Sequence, residues 1–415
     1  MPQTKQKKNR IAFLPALAVF ALACFIRHFK CSMSSYNTTL FALSYDYGFI
    51  SRGFMGSVFN LLEDLLPFEI HNYLGVYNFS GLFTLVYYLV LFWFYKVCLD
   101  RCAEEHKRNL QHLIVFLSIF AFTMWTTTIN FGRLDIYLFI FMLISSILII
   151  KEKYEWLIVP FGIICTCIHQ GFVFTNANTI LVLLLYKIFL GDAKKRKKYL
   201  LIFALFFLSI SALFLYFEFF SHVNGEAIFD EVKTAAKALS ESGKSYNKSI
   251  LQHEILGLDV TEMELEYHID NAQDFPVFCV LFAPYIFFGF RFFIKLILDK
   301  TASLEKRFVY MAALLGGATM LPQFLLKVDY GRYMFNLIFY YVSLLIAVIA
   351  MQDSKVADHL NSLKTELKKL IPMTLIWFVY PLLLTPFRAV AISSSIHKFA
   401  EILADPELSF FLQPK

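Results

Sequence analysis

Three arginines, each beside a glycine, are the residues of this chain best suited to chemistry. They are Arg52 in Tyr45-Asp46-Tyr47-Gly48-Phe49-Ile50-Ser51-Arg52-Gly53, Arg133 in Phe131-Gly132-Arg133-Leu134-Asp135, and Arg332 in Asp329-Tyr330-Gly331-Arg332. A planar, permanently charged guanidinium grips phosphate or carboxylate in a partly dry site, and a glycine lets backbone approach the ligand closely. The pattern suits an anionic substrate such as a lipid-linked or sugar phosphate. Two of the arginines carry an acid nearby, Asp135 after Arg133 and Asp329 before Arg332. The competing reading makes each arginine a lipid-headgroup anchor. The repetition of the motif and the cost of ionisable groups at membrane depth weigh toward function.

His169 ends the apolar run Ile163-Ile164-Cys165-Thr166-Cys167-Ile168, with Gln170 beside it as a supporting group. An imidazole suits proton transfer near neutrality, although a lone histidine here also reads as a hydrogen-bonded structural residue. Asp46 precedes Arg52 in the same loop and reads equally as its ion-pair partner or as a catalytic carboxylate. Of seven cysteines, Cys24, Cys98, Cys165, Cys167 and Cys279 fall in or beside apolar segments, and Cys31 lies outside them. Cys165-x-Cys167 has no second pair to complete a zinc site, so no metal site is predicted.

The elements that must position these groups are membrane helices. With 58% hydrophobic residues, 48 Phe and 22 Tyr in 415 residues, and a mean hydropathy of +0.59, the chain is too apolar for one soluble core. The fold class expected is all-α, a polytopic integral membrane protein forming a single transmembrane domain over 1–415. Apolar stretches of spanning length fall at 11–28, 73–98, 112–129, 136–150, 156–169, 172–190, 200–221, 276–297, 308–326, 333–351 and 370–389, about eleven helices. With the N-terminus cytoplasmic, the segments 1–10, 99–111, 151–155, 191–199, 298–307 and 352–369 all face the cytoplasm, and all are basic. Lys96, Lys187, Arg291 and Lys295 then lie toward cytoplasmic helix ends, where their stems can snorkel. The C-terminus is extracytoplasmic. Lys5 to Arg10 followed by Ile11 to Cys24 also resembles a secretory signal, but the apolar run continues to Ile26, favouring a retained anchor.

Two outer loops are long. Residues 29–72 include an amphipathic stretch, Phe54 to Leu66, expected along the interface, and residues 222–275 are acidic, with helices expected over Glu226 to Ser240 and Leu258 to Asn271. Glu262, Glu264 and Glu266 are further candidate acids on what is mostly a solvated face. The remaining outer turns, Asn130 to Asp135, His169 to Gly171 and Lys327 to Arg332, are short and place their polar groups at the bundle mouth. Phe131-Gly132-Arg133 and Tyr330-Gly331-Arg332 are alike enough to be a weak repeat or one binding solution used twice.

A Gly-Arg turn at an outer helix junction, a histidine one hairpin later and Arg332-Tyr333 near the outer end of a late helix resemble the bacterial exopolysaccharide and O-antigen polymerase families. The resemblance covers 130–175 and 327–340. It implies a metal-independent glycosyltransferase of the bacterial cytoplasmic membrane, active at the outer face. Such an enzyme joins oligosaccharide units carried on polyprenyl diphosphate, with Arg133, His169 and Arg332 as functional residues. An acid in a long first loop, here Asp46, is similar instead to the GT-C class of membrane glycosyltransferases, whose first-loop carboxylate serves as base or metal partner. That likeness would admit a divalent metal; otherwise no cofactor is expected.

Either likeness implies a phosphate or diphosphate leaving group, stabilised by Arg52, Arg133 and Arg332, and a base, His169 or Asp46, for the acceptor hydroxyl. Expected partners are a lipid-linked oligosaccharide or polyprenyl-phosphate sugar, membrane lipids, and other polysaccharide-assembly proteins. The net charge of +6 resides mainly in cytoplasmic loops and gives no nucleic-acid surface. The alternative is a transporter or flippase of an anionic lipid-linked glycan, which would place its site near the bilayer midplane. Asn37-Thr38-Thr39 and Asn247-Lys248-Ser249 match the glycosylation triplet.

Overall fold

The computed structural model describes residues 2–67, 69–221, 225–257, 274–326, 329–370, 372 and 378–385, and among these the regular structure is entirely helical. In chain order the helices are α1 (Pro2–His28), α2 (Ser35–Phe41), α3 (Gly53–Leu65), α4 (Tyr73–Arg101), α5 (Lys107–Thr123), α6 (Asp135–Lys151), α7 (Ile158–Ile168) and α8 (Ala177–Leu190). They continue with α9 (Arg196–Phe219), α10 (Glu226–Ala238), α11 (Lys248–Glu254), α12 (Asp274–Leu298), α13 (Leu304–Ala318), α14 (Leu321–Leu326), α15 (Tyr330–Ala350), α16 (Ser354–Leu370) and α17 (Tyr380–Leu384). Five segments are long and apolar enough to cross a bilayer: Tyr73–Arg101, Gln170–Leu190, Ala193–Phe219, Asp274–Leu298 and Tyr330–Ala350. Phe13–His28 and Glu155–Ile168 are shorter apolar helices.

Burial separates centre from rim. The apolar window of α15 is 83% buried, whereas those of α9 and α12 are 22% buried. So α15 is the central post, packed on α4, α5, α8 and α12, while α9 and α12 present Leu208, Phe207, Phe287 and Phe290 outward. A helix apolar all round needs no amphipathic pattern, which is why α4 and α9 read from sequence as continuous apolar runs.

At one end of the bundle, carboxylates meet the basic residues of the connecting segments. Glu152 is held by Lys187 (2.6 Å) and Lys195, Glu155 by Lys198 (2.8 Å), and Glu366 by Arg291 and Lys295 (both 2.6 Å). Lys187, Arg291 and Lys295, expected to snorkel, thus find partners within the protein.

At the other end, α3 is the expected amphipathic helix: Met55, Gly56 and Phe59 are buried, and Leu61 and Leu65 are exposed. A Cβ at Gly56 would lie 2.0 Å from the Leu43 carbonyl oxygen, so only glycine allows α3 to approach the chain following α2 this closely. Helix α10 matches the expected Glu226 helix and packs with α11 on α2. The expected helix Leu258 to Asn271, the acids Glu262, Glu264 and Glu266, most of the span 370–389 and the C-terminus lie outside the described residues.

Candidate functional site

Helix α5 ends at Thr123, earlier than its apolar run 112–129 suggests, and residues 124–134 form a largely buried turn, longer than the expected Asn130 to Asp135. Polar brackets hold this turn. The Asn130 amide donates to the Met124 carbonyl (3.0 Å), and the Asn37 amide donates to the carbonyls of Ile129 (2.9 Å) and Phe131 (2.6 Å). Gly132 adopts φ +79°, a conformation that costs an L side chain roughly 1–2 kcal/mol, and the turn delivers Arg133 into the protein at 5% exposure. Asn37 is fully buried and committed to that turn, which excludes it as a glycan acceptor in the folded chain.

Arg133 Nη1 donates to Asp329 Oδ2 (3.1 Å), its Nε donates to the Ile129 carbonyl (3.3 Å), and its guanidinium lies 5.0 Å over the Tyr36 ring. Arg332 sits in the first turn of α15, which begins at Tyr330, three residues before the expected span 333–351. Its Nη1 donates to both oxygens of Asp135 (3.0 Å each), and its Nη2 donates to Asp329 and to the Tyr333 hydroxyl (3.3 Å). Two cations and two carboxylates therefore form one buried network. Its pairing crosses over: Arg133 bonds the acid beside Arg332, and Arg332 bonds the acid beside Arg133 as well as its own. Asp135 opens α6 while Arg133 lies in the turn before it, and the i, i+3 spacing at the start of α15 brings Asp329 and Arg332 together.

Burial opposes ionisation of Asp329, but the guanidiniums of Arg332 and Arg133 outweigh it and hold its carboxyl below the ordinary value. The Nε of Arg332 is buried with no hydrogen-bond acceptor among the described residues, a donor that a bound anion could satisfy.

His169 lies between α7 and the turn leading into α8, at the same end. Its Nδ1 accepts from the Gly171 amide (2.9 Å), so the neutral ring carries its proton on Nε2 and presents a donor there. Burial first, then the charges of Arg52, Arg332 and Arg133 against that of Asp135, lower its pKa from 6.5 to about 3. Gln170 accepts from the Ser51 hydroxyl (2.5 Å) and donates to Glu218 (3.4 Å), tying the His169 turn to the first loop.

Arg52 adopts φ 63° at the start of α3, and its Nη1 pairs with Glu254 of α11 at 3.5 Å. Asp46 is exposed in a 3-10 turn, where Oδ2 accepts from Ser44 and Asn60 (2.8 Å each). Of its two readings, the structure thus gives the ion-pair role with Arg52 to Glu254.

The structure brings Arg133, Asp135, His169, Asp329 and Arg332 together, with Arg52 and Gln170 joined through the first loop and Asp46 at its surface. Sequence reasoning missed Glu254, Tyr36 and Ser51; none carries a local signal, since each acts through a contact distant in sequence. Cysteines play no part in the network, and among the described residues no three His, Cys, Asp or Glu side chains converge as a metal site. A cavity of about 210 Å³ lies elsewhere, on the face of α15 that carries Met334, Leu337, Ile338 and Tyr341. No family model matches the sequence, no curated protein matches it, and no solved structure matches the fold.

Proposed function

We propose that this protein is a membrane glycosyltransferase that uses a polyprenyl-phosphate or diphosphate-linked sugar donor in cell-surface polysaccharide assembly. The observation that carries the reading is the buried network of Arg133, Asp329, Arg332 and Asp135 with His169 beside it, all at one end of the bundle. Buried ion pairs are costly to assemble and weak as a means of stability, so a network at membrane depth is more readily explained by use than by packing.

The network is neutral as it stands. A donor phosphate would compete with Asp329 for Arg133 and with both aspartates for Arg332, and would offer an acceptor to Arg332 Nε. The two guanidiniums would then face the negative charge that develops as the phosphate leaves. His169, neutral and with Nε2 as donor, is suited to hydrogen-bond the departing phosphate oxygen rather than to act as base. The base for the acceptor hydroxyl falls to Asp46, whose contacts both occupy Oδ2.

The accompanying topology has eleven crossings, α1, α4 to α9, α12, α13, α15 and the segment 370–389. The N-terminus is cytoplasmic, the C-terminus extracytoplasmic, and the network lies at the outer face of a bacterial cytoplasmic membrane. The basic residues at the opposite end support this orientation. Clustering of the charges at one end favours an enzyme over a transporter, whose site belongs near the midplane.

The test is product formation from a lipid-linked oligosaccharide by purified protein in liposomes, with and without chelator. A new glycosidic bond is the expected result. Movement of the donor across the bilayer without any new bond would overturn the proposal in favour of transport.

A further inference from the structure

The end of the bundle opposite the arginine network holds a group of cations unlike its neighbours. Lys364 of α16 is 8% exposed, and its ammonium donates to Asn109 Oδ1 (2.6 Å) and His112 Nδ1 (2.8 Å) of α5. Because an ammonium only donates, the His112 ring accepts at Nδ1 and carries its proton on Nε2. Asn109 in turn donates to Asn361 (2.6 Å), so Asn109 and His112 hold the Lys364 head directly and Asn361 braces Asn109.

Elsewhere at this end, carboxylates answer the charge. Lys187 and Lys195 have Glu152, Arg291 and Lys295 have Glu366, Lys306 has Asp353, and Lys355 has Asp299. The acids nearest in sequence are engaged as well, Glu104 with Lys107 and Glu105 with His106. Among the described residues no carboxylate pairs with Arg108, Lys364 or Lys368. Burial, then the charges of Lys368 and Arg108, bring the Lys364 pKa down from 10.5 to about 8, which places the three cations within electrostatic reach of one another.

The same two helices wall the cavity of about 210 Å³. Leu113 and Phe116 of α5 and Leu360, Leu363 and Leu367 of α16 line it with Phe282 to Phe293 of α12 and Met334 to Leu345 of α15. Lys364 stands one helical turn from Leu360 and Leu367, and His112 one turn from Phe116, all lining the cavity, so the uncompensated cations stand beside the apolar groove where it meets the end of the bundle. Positive charge without counter-charge, joined to an apolar slot between membrane helices, is complementary to a molecule with an anionic head and a hydrocarbon tail.

We propose that this site binds one anionic phospholipid from the adjacent leaflet, its phosphate on Arg108, Lys364 and Lys368 and one acyl chain in the groove of α5, α12, α15 and α16. Lys364 and His112 Nε2 supply donors at the inner margin, and Arg108 and Lys368, both exposed, close over the phosphate from the outside. The site is independent of the arginine network and of any activity there.

The experiment titrates purified full-length protein in neutral detergent with phosphatidylglycerol, phosphatidylcholine of the same chains, or glycerol phosphate, counting bound molecules by native mass spectrometry and following the unfolding midpoint. One phosphatidylglycerol should bind and raise the midpoint, and the other two should do neither. Arg108→Gln and Lys368→Gln should each weaken binding about fivefold. Leu337→Trp, which fills the groove, should abolish the single-lipid peak, and Lys197→Gln, a charge removed elsewhere at this end, should change nothing. Equal binding of phosphatidylcholine would overturn the proposal in favour of unspecific annular lipid. Equal binding of glycerol phosphate would reduce it to a free-phosphate site. Unchanged binding in Arg108→Gln and Lys368→Gln, or an equal loss in Lys197→Gln, would remove it.

Discussion

One nitrogen of Arg332, Nη1, lies 3.0 Å from each carboxylate oxygen of Asp135, which stands 197 residues earlier in the chain. This contact ties the start of α15 to the start of α6, and Asp329 extends it to Arg133. Removing one member of a buried charge pair leaves its partner unpaired, at a cost of about 3–5 kcal/mol, whereas replacing both by apolar groups costs far less. Arg332→Met should therefore lower the unfolding midpoint strongly, and Arg332→Met with Asp135→Leu should recover much of the loss. A thermal denaturation series in one detergent checks this, and a double variant no better than the single would show that the two residues are not coupled.

His169 and Asp329 each contribute to the loss of stability in acid. Both have folded-state pKa values depressed below their ordinary ones, so in each case the unfolded chain binds more protons as the pH falls. The contribution of His169 is complete above its unfolded value of 6.5 and is lost as the pH falls toward about 3, by up to about 1.4 kcal/mol per pH unit. Asp329 adds its loss at lower pH, beneath the ordinary carboxylate range. The unfolding midpoint should drop between pH 7 and pH 4.5, and His169→Gln should shrink that drop. A midpoint constant over this range would contradict the assigned burial of the imidazole.

Topology can be tested in whole cells by thiol labelling. Lys194, exposed before α9, and Glu241, exposed after α10, are separated in the chain by a helix long enough to cross a bilayer. Lys194→Cys should label only after the membrane is permeabilised, and Glu241→Cys should label in intact cells. Of the native cysteines all but Cys279 are buried, so a Cys279→Ser background keeps the signal clean. Both positions labelling from the same side would break the proposed orientation.

The helices were legible because an apolar run of spanning length admits few structures, and α3 because its apolar residues recur at helical spacing. The Gly-Arg turns were legible as a set, but their partners were not. Asp135 reads as the companion of Arg133, yet Arg133 belongs to the turn before α6, and only the packing of α6 beside α15 reveals Arg332 as the hydrogen-bond partner of Asp135. Glu254 was hidden for a similar reason. It sits on a short helix whose position over the first loop depends on contacts such as the Asn247 amide to Thr39 (2.9 Å), across 208 residues. The tautomer of His169 depends on one backbone amide two residues on, a feature of turn geometry that residue identity does not carry.

The proposed phosphate site separates charge from geometry. Lys at position 133 or 332 keeps the positive charge but cannot reach two acceptors with a planar fork, so Arg133→Lys and Arg332→Lys should each lower turnover about tenfold to a hundredfold. An arginine that merely anchored lipid headgroups would tolerate lysine. His169→Gln retains an N–H donor and should keep more activity than His169→Ala, with donor binding nearly unchanged in both, as expected of a group that acts on the leaving oxygen during transfer. The measurement is product formed from a lipid-linked donor at saturating and limiting concentrations, on variants first shown to fold by their unfolding midpoints. Equal loss in His169→Gln and His169→Ala would deny the histidine a donor role, and full activity in the two lysine variants would return Arg133 and Arg332 to structural service.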